Sequence, residues 1–350
     1  MKEKLLEAVV REMQMGVVVL DMNKLILYSN PFFEKTFSLY GGSDGKKFVD
    51  IISDLELLKI AGNLLSSGES QSSEITIEGR GNQILEVKLI PLSSPPFQGG
   101  DKGEDRVLIG FFRDVTEEKR VEAIKRDFVS NVSHELRTPL ASIKGYTETL
   151  LDGALDDKST LKKFLTIIDR HANRMTTLID DLLTLSMVES HQMQLNLEAI
   201  DIKGLINSVL QGFEKSTRDK GLRLIMDIGE NLPEVTADRG RLEQVIINLV
   251  DNAIKYTNNG EVRIAVRREG NTMRVDIEDT GIGIPEKDIP RIFERFYRVD
   301  KGRSRELGGT GLGLAIVKHI IQAHRGQIGV KSVFSKGTIF SFSLPLSHSP

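Results

Sequence analysis

The chain has 350 residues, with 47 Lys and Arg against 50 Asp and Glu, a net charge of −3. That length predicts two or three domains, each able to bury a core, and the near-neutral charge gives no reason to expect nucleic acid as a main partner. Cysteine is absent, which excludes disulfides, thiolate metal sites and cysteine nucleophiles and fits a reducing cytosol.

The opening MKEKLLEAVVREMQMG reads as an amphipathic helix, because charges interrupt any signal-like apolar stretch. No apolar run approaches the ~20 residues needed to cross a bilayer. The expectation is therefore no membrane segment in this chain, and a cytoplasmic location, either alone or as the cytoplasmic part of a membrane-anchored protein.

The first module, bounded at 10–115, is made of short β-rich runs: GVVVLD, KLILYSN, SSEITIEG, QILEVKLIPL and VLIGFFRDV. Turn-formers and one or two short helical stretches break them. SSPPFQGGDKGED (93–105) reads as a loop between the last two strands. The pattern predicts a small α+β module with an antiparallel sheet.

Residues 116–192 carry two long helical patterns around the turn-like LDGALDD (151–157). In the second, Leu161, Phe164, Ile168, His171, Met175, Leu178, Leu182 and Leu185 repeat at alternating spacings of 3 and 4, a heptad seam. The first carries Val121, Ile124, Phe128, Val132, Leu136, Leu140 and Ile143 at comparable spacing. One hairpin has too few faces to cover both stripes, so two chains are expected to form an antiparallel four-helix bundle, a homodimer. His171 on the seam reads as a packed or hydrogen-bonded core histidine.

On the first helix His134 lies two residues, roughly 200°, from the apolar stripe and is expected to face solvent. An exposed neutral imidazole is a usable nucleophile near neutral pH. Glu135 is placed to accept the imidazole proton. Thr138, one turn on, is placed to hold a water for the reverse hydrolysis, and Pro139 predicts a local kink. Alone, such a histidine is usually just a surface residue.

From 200 to 347 helices alternate with strands, predicting a two-layer α/β domain. RLEQVIINLVDNAIKYT (241–257) is a helix with Leu242, Val245, Ile246, Leu249 and Ala253 on its apolar face. Asn248, Asn252 and Lys255 form a separate stripe; the amide oxygens suit Mg²⁺ and the ammonium suits phosphates. In DIEDTGIGIP (276–285), Asp279 ends a strand, where it can accept a hydrogen bond from adenine's exocyclic amine. Gly281 and Gly283 allow turns and close backbone approach. In GGTGLGLAIVKHI (308–320), the loop Gly309, Thr310, Gly311, Leu312 and Gly313 runs into a helix whose first N–H groups suit phosphate. A dinucleotide site of the strand-then-GxGxxG-then-helix kind is not present in the required order. Between these stretches IFERFYRVDKGRSREL (292–307) reads as an arginine-rich lid, with Arg298 the preferred phosphate contact, followed by Arg303 and Arg305.

SHELRTPL resembles the H-box of the HisKA family of sensor histidine kinases. That resemblance implies that His134 is phosphorylated, that Glu135 is the base and that Thr138 serves phosphatase activity. The ordered set of H-box, N-box helix, DTGIGIP, FERFYR and GGTGLGLAIV resembles the histidine-kinase branch of the Bergerat-fold (GHKL) ATPases, over residues 120–345. It implies ATP and Mg²⁺ as ligands, with Asn248, Asn252, Lys255 and Tyr256 on the nucleotide and Asn248 and Asn252 nearest the metal. TETLLDGALDD and the lid string most resemble the phosphate-regulon type of sensor kinase. GVVVLDMNKLILYSNPFFEKTF and FFRDVTEEKR resemble the opening and exit of a PAS domain. Since no histidine precedes residue 134, a histidine-ligated haem is not expected there; a small ligand or a structural, dimerising role remains open. The partner implied is the receiver domain of a response regulator on another protein, as no receiver-like segment follows residue 347. The rivals are a gyrase-type ATPase of the same fold, which would lack the H-box, and a dimeric scaffold that binds ATP without transferring it.

Overall fold

The computed structural model describes residues 2–67, 69–77, 82–94, 105–154, 157–189, 194–230, 232–300 and 309–346. Most of the 93–105 loop, residues 155–156 of the inter-helix turn, and Arg303 and Arg305 of the lid lie outside the described residues. The chain divides into two compact units, Met1–Asp127 and Phe128–Pro350.

In the first unit, helix α1 (Lys2–Glu12) precedes strands β1 (Gly16–Leu20) and β2 (Ile26–Ser29). Helices α2 (Pro31–Thr36) and α3 (Leu55–Ser67) follow, then β3 (Gln71–Ile77), β4 (Gln83–Ser94) and β5 (Asp105–Asp114). The five strands form one antiparallel sheet in the order β2-β1-β5-β4-β3. Side chains alternate across it, so Leu85, Val87 and Leu89 of β4 and Leu108 and Phe112 of β5 are buried on one face. Gly110 belongs to that face, and a Cβ there would stand 2.9 Å from Val18 Cγ1 and 3.1 Å from Leu89 Cδ2. Phe33 of α2 meets Phe112 edge-on at 5.0 Å between centroids, an arrangement that aromatic quadrupoles favour. Asn30 is fully buried and spends both ends of its amide. Its Oδ1 accepts from Val17 N and from Phe33 N, capping α2, and its Nδ2 donates to the carbonyls of Val10 and Met15.

A single helix, α4 (Thr116–Thr149), leaves β5. Thr116 N donates to Asp114 Oδ1 while Thr116 Oγ1 accepts from Ile84 N, which ties the helix start to the sheet edge.

The second unit takes α4 from Phe128 onward, a π-helical turn at Leu150–Ala154 and helix α5 (Lys158–Glu189). The reversal is made possible by Gly153, at φ 121°. The helix continues through Pro139, which is buried, so the expected kink does not end it. Every seam position of α5 from Leu161 to Leu185 is buried or half-buried, His171 included. The α4 stripe is covered less completely. Phe128, Val132, Leu136 and Ile143 are half-buried, but Leu140 is 55% exposed, because one partner helix shields only one side. Leu165, Ile179, Leu183 and Met187 add a second, uncovered apolar row on α5.

The rest of this unit is two layers. One is a sheet in the order β11-β12-β10-β9-β7, built from β7 (Arg223–Ile228), β9 (Glu261–Glu269), β10 (Thr272–Asp279), β11 (Gln327–Val333) and β12 (Gly337–Pro345). Its neighbours are antiparallel except β7 and β9. Strands β6 (Leu197–Ile200) and β8 (Val235–Asp238) pair separately. The other layer is helical: α6 (Ile202–Gln211), α7 (Glu214–Lys220), α8 (Arg239–Tyr256) and α9 (Gly313–Ala323). The buried row of β10 (Met273, Val275, Ile277) belongs to one core with Leu242, Val245, Ile246 and Leu249 of α8 and Ile316, Val317 and Ile320 of α9. Leu178 and Leu185 of α5 join this core, which seats the hairpin on the two-layer domain. Among the described residues no helix is long and apolar enough to cross a membrane.

Candidate active site

A cleft of about 600 Å³ opens on the face of the two-layer domain turned toward the hairpin. Helix α8 supplies one wall. Its buried face anchors it, Asp238 caps its start by accepting from Arg241 N at 3.0 Å, and its other face presents Asn248, Asn252, Lys255 and Tyr256 to the cleft. Lys255 is held by Asp251, one turn earlier, at 2.6 Å.

Asp279 forms the floor at the end of β10, and burial pushes its carboxyl up to about 6, against hydrogen bonds from the N–H groups of Gly281 and Thr338 that oppose the shift. A carboxylate so placed is an acceptor waiting for a donor. Gly281 backs this floor and does not line it. A Cβ there would stand 2.5 Å from Tyr256 O and 2.8 Å from Asp279 Oδ1. Gly283, at φ 63°, does line the cleft. There a Cβ would fall 2.2 Å from Val333 O, so only glycine lets the Phe334–Ser335 turn close over it.

The glycine loop completes the wall. Gly309, Thr310, Gly311 and Gly313 line the cleft. Gly311 takes φ 76°, and a Cβ on Gly313 would approach Asn248 Oδ1 to 3.0 Å, so α9 begins directly against α8. Leu312 departs from expectation. Its side chain is wholly buried in the core, its N–H is taken by Thr310 Oγ1 at 3.2 Å and its carbonyl accepts from Ile316 N at 2.9 Å, so its polar groups are spent within the protein.

Arg298 lines the cleft as expected. Its Nη2 donates to Gly309 O at 2.7 Å and to Glu135 Oε2 at 3.0 Å. Its Nε is buried with no hydrogen-bond partner among the described residues. Tyr297 is fixed by its hydroxyl, which donates to Asp288 Oδ1 at 2.7 Å. At the lid's base Phe296 stacks near Phe128 of α4, 5.8 Å between centroids.

The hairpin contributes to the cleft in its own right. Thr177 and Asp181 of α5 line it, and Thr310 Oγ1 donates to Asp181 Oδ2 at 2.8 Å. Burial raises the Asp181 carboxyl above its ordinary value, opposed by that hydroxyl. Sequence reasoning missed Asp181 because its partner lies 129 residues away and nothing local marks it. Asp251 had a signal, its i, i+4 spacing to Lys255. His134 is exposed and is not among the lining residues; Glu135, its neighbour, links that helix to the cleft through Arg298. Thr138 is exposed, and its hydroxyl donates to His134 O at 3.2 Å.

The donor set of the α8 wall fits a hard cation held mainly by phosphate and water. Asn248 and Asn252 offer neutral amide oxygens, and among the described residues no group of three or more His, Asp or Glu forms a cage of its own.

Residues 124–191 match the His Kinase A (phospho-acceptor) domain model. Residues 237–348 match the model of the histidine kinase-, DNA gyrase B- and HSP90-like ATPase. Among solved structures, Acinetobacter baumannii histidine kinase AdeS is 33% identical with a TM-score of 0.51, and the match covers 61% of this chain and 98% of that one. The chain belongs to the histidine kinase family. It is 34% identical over 349 residues to sensor histidine kinase WalK of Bacillus subtilis, 97% of this chain and 55% of that protein. It is 42% identical over 240 residues to sensor protein kinase WalK of Staphylococcus aureus, 68% of this chain and 39% of the relative. The chain thus spans about half the length of the curated relatives it matches. Histidine kinase ThkA, solved in complex with response regulator protein TrrA, shares the fold at 23% identity, with a TM-score of 0.53 and coverage of 97% and 98%.

Proposed function

We propose that this chain is the kinase portion of a two-component sensor: it transfers the γ-phosphoryl group of ATP to its own His134 and then to an aspartate of a response regulator. One observation carries the reading. Glu135, next to the exposed imidazole, is ion-paired to Arg298, which lines the cleft of the ATPase-type domain. Acceptor helix and nucleotide site thus already share a contact.

In the step itself, the unprotonated Nε2 of His134 attacks the γ-phosphorus and forms a P–N bond. The bond from that phosphorus to the β,γ-bridging oxygen breaks, and ADP leaves with the electron pair. Glu135 takes the proton from Nδ1, so the product ring stays neutral. Asp279 would accept from the adenine amine, Gly283 would pass close under the base, and Tyr256 would wall the nucleoside. Lys255, Arg298 and the N–H groups of the glycine loop would face the phosphates. Asn248 and Asn252 would hold Mg²⁺, which would neutralise charge on the phosphate oxygens.

Thr138 serves the reverse direction in this reading, holding water for regulator dephosphorylation. The strand order and the helix leaving β5 support a PAS-type sensor over residues 10–115, followed by a phosphotransfer hairpin over 116–192 and an ATP-binding domain over 200–347. The uncovered row on α5 and the exposed Leu140 of α4 support a homodimeric four-helix bundle. The phosphate-regulon likeness rests on the motif strings alone. A cytoplasmic location follows from the two substrates.

The test is incubation with ATP radiolabelled at the γ-phosphate. The expected result is an acid-labile, base-stable label that His134→Gln abolishes and that receiver domains then remove. Nucleotide binding without any label would leave a scaffold and sink the reading.

A further inference from the structure

Resting on the roles of His134 and Glu135 just given, we propose that Arg174 of α5 is a positioning residue for phosphorylation, holding the Glu135 carboxylate beside His134 when Arg298 turns to the nucleotide. Glu135 Oε2 accepts from two guanidinium groups at once, Arg174 Nη2 and Arg298 Nη2, each at 3.0 Å. The side chains of Glu135, Arg174 and Arg298 are only 13%, 16% and 7% exposed. At that depth an ion pair is little screened and removal of one partner is costly.

The two arginines differ in what else they face. Arg174 lies on the same hairpin as Glu135, 39 residues away, so its contact survives any movement of the nucleotide domain. Arg298 belongs to the lid region of that domain, lines the cleft and touches Gly309 O. Its buried Nε has no partner among the described residues, and a Cβ built on Gly311 would lie 3.2 Å from it. An unsatisfied guanidinium N–H against the glycine loop is a donor aimed where phosphate oxygens would sit. Nucleotide therefore competes with Glu135 for Arg298. When nucleotide wins, the Arg174 guanidinium remains on the carboxylate and fixes it on the helix that carries His134.

A tie that merely joins two helices would affect folding, not the chemical step, and kinetics separate the two. Autophosphorylation is measured on the full chain against ATP concentration, with nucleotide Kd from a fluorescent ATP analogue, for wild type, Arg174→Gln, Arg174→Lys, Glu135→Gln and the Arg174→Gln/Glu135→Gln double variant. The expected result is a fall in kcat of about tenfold or more for Arg174→Gln, with KM and Kd for nucleotide within about twofold. Arg174→Lys should recover part of the loss, because an ammonium keeps the charge but not the fork. In the Glu135→Gln background the Arg174 substitution should do nothing further. An unchanged kcat, a loss that persists in full in the Glu135→Gln background, or a KM that moves as much as kcat would each overturn the proposal. Should Arg174→Gln fail to hold a native melting transition, Arg174→Lys carried through the same cycle decides the question. Wild type that takes no label, or His134→Gln that still does, overturns the underlying reading instead, so the two failures are distinct.

Discussion

Asp279→Asn separates what the cleft floor does for stability from what it does for nucleotide. The Asp279 carboxyl is 7% exposed and titrates at about 6 in the folded protein, against an ordinary value of 3.8. Because the folded value is the higher, the folded state binds the extra proton between the two. Its stability contribution is fully present below 3.8 and is lost as pH rises through 6. At about 1.4 kcal/mol for each factor of ten, ionised Asp279 costs the folded protein ~3 kcal/mol at neutral pH. Asparagine removes that charge but turns an NH₂ group toward one of the two backbone donors, Gly281 N or Thr338 N, a mismatch of about 1 kcal/mol. The free variant should therefore be more stable than wild type by ~2 kcal/mol at pH 7.5. The difference should shrink and reverse toward pH 4, as the wild-type carboxyl is protonated. Urea titrations across that range measure it, and comparing variant with wild type cancels the other carboxylates. Added ATP should stabilise wild type and do little for the variant, since a hydrogen bond to a charged acceptor is worth ~1.5–3 kcal/mol. A stability difference that does not move with pH would refute the burial argument. Unchanged ATP stabilisation would refute Asp279 as the adenine acceptor.

Gly283→Ala should weaken ATP binding by at least tenfold, measured as Kd. It places a Cβ against Val333 O at a positive φ, strain of about 1–2 kcal/mol before any displacement of the Phe334–Ser335 turn. Asn30→Ala should destabilise the first unit by roughly 2–4 kcal/mol, because the backbone groups its amide satisfies are left facing a small void; loss of amide protection in β1 by hydrogen exchange reads this locally. Leu183→Glu, at a position 58% exposed on the uncovered row of α5, should shift the chain from dimer to monomer in light scattering while its melting profile in dilute solution stays close to wild type.

The parts legible in the sequence were those set by local spacing. The α5 seam showed in its 3 and 4 residue intervals, α8 in its separate apolar and amide stripes, and the cleft glycines in clusters that only turns tolerate. Even there, spacing could not tell lining from backing. Leu312 and Gly281 sit inside the motifs yet turn away from the cleft, since direction depends on what each packs against. The α4 stripe was legible too, but exposure of Leu140 depended on how many helices lie beside it.

The residue chemistry of this protein was written in short stretches of chain, because a helix face or a turn is decided by neighbours within four positions. Which polar groups meet was decided only when the hairpin and the two-layer domain folded onto each other. Glu135 finds Arg298 163 residues away, and Asp181 finds Thr310 across 129. Those pairings depend on buried leucines seating α5 against the two-layer domain, and no periodicity in the chain encodes the place where two surfaces come to rest.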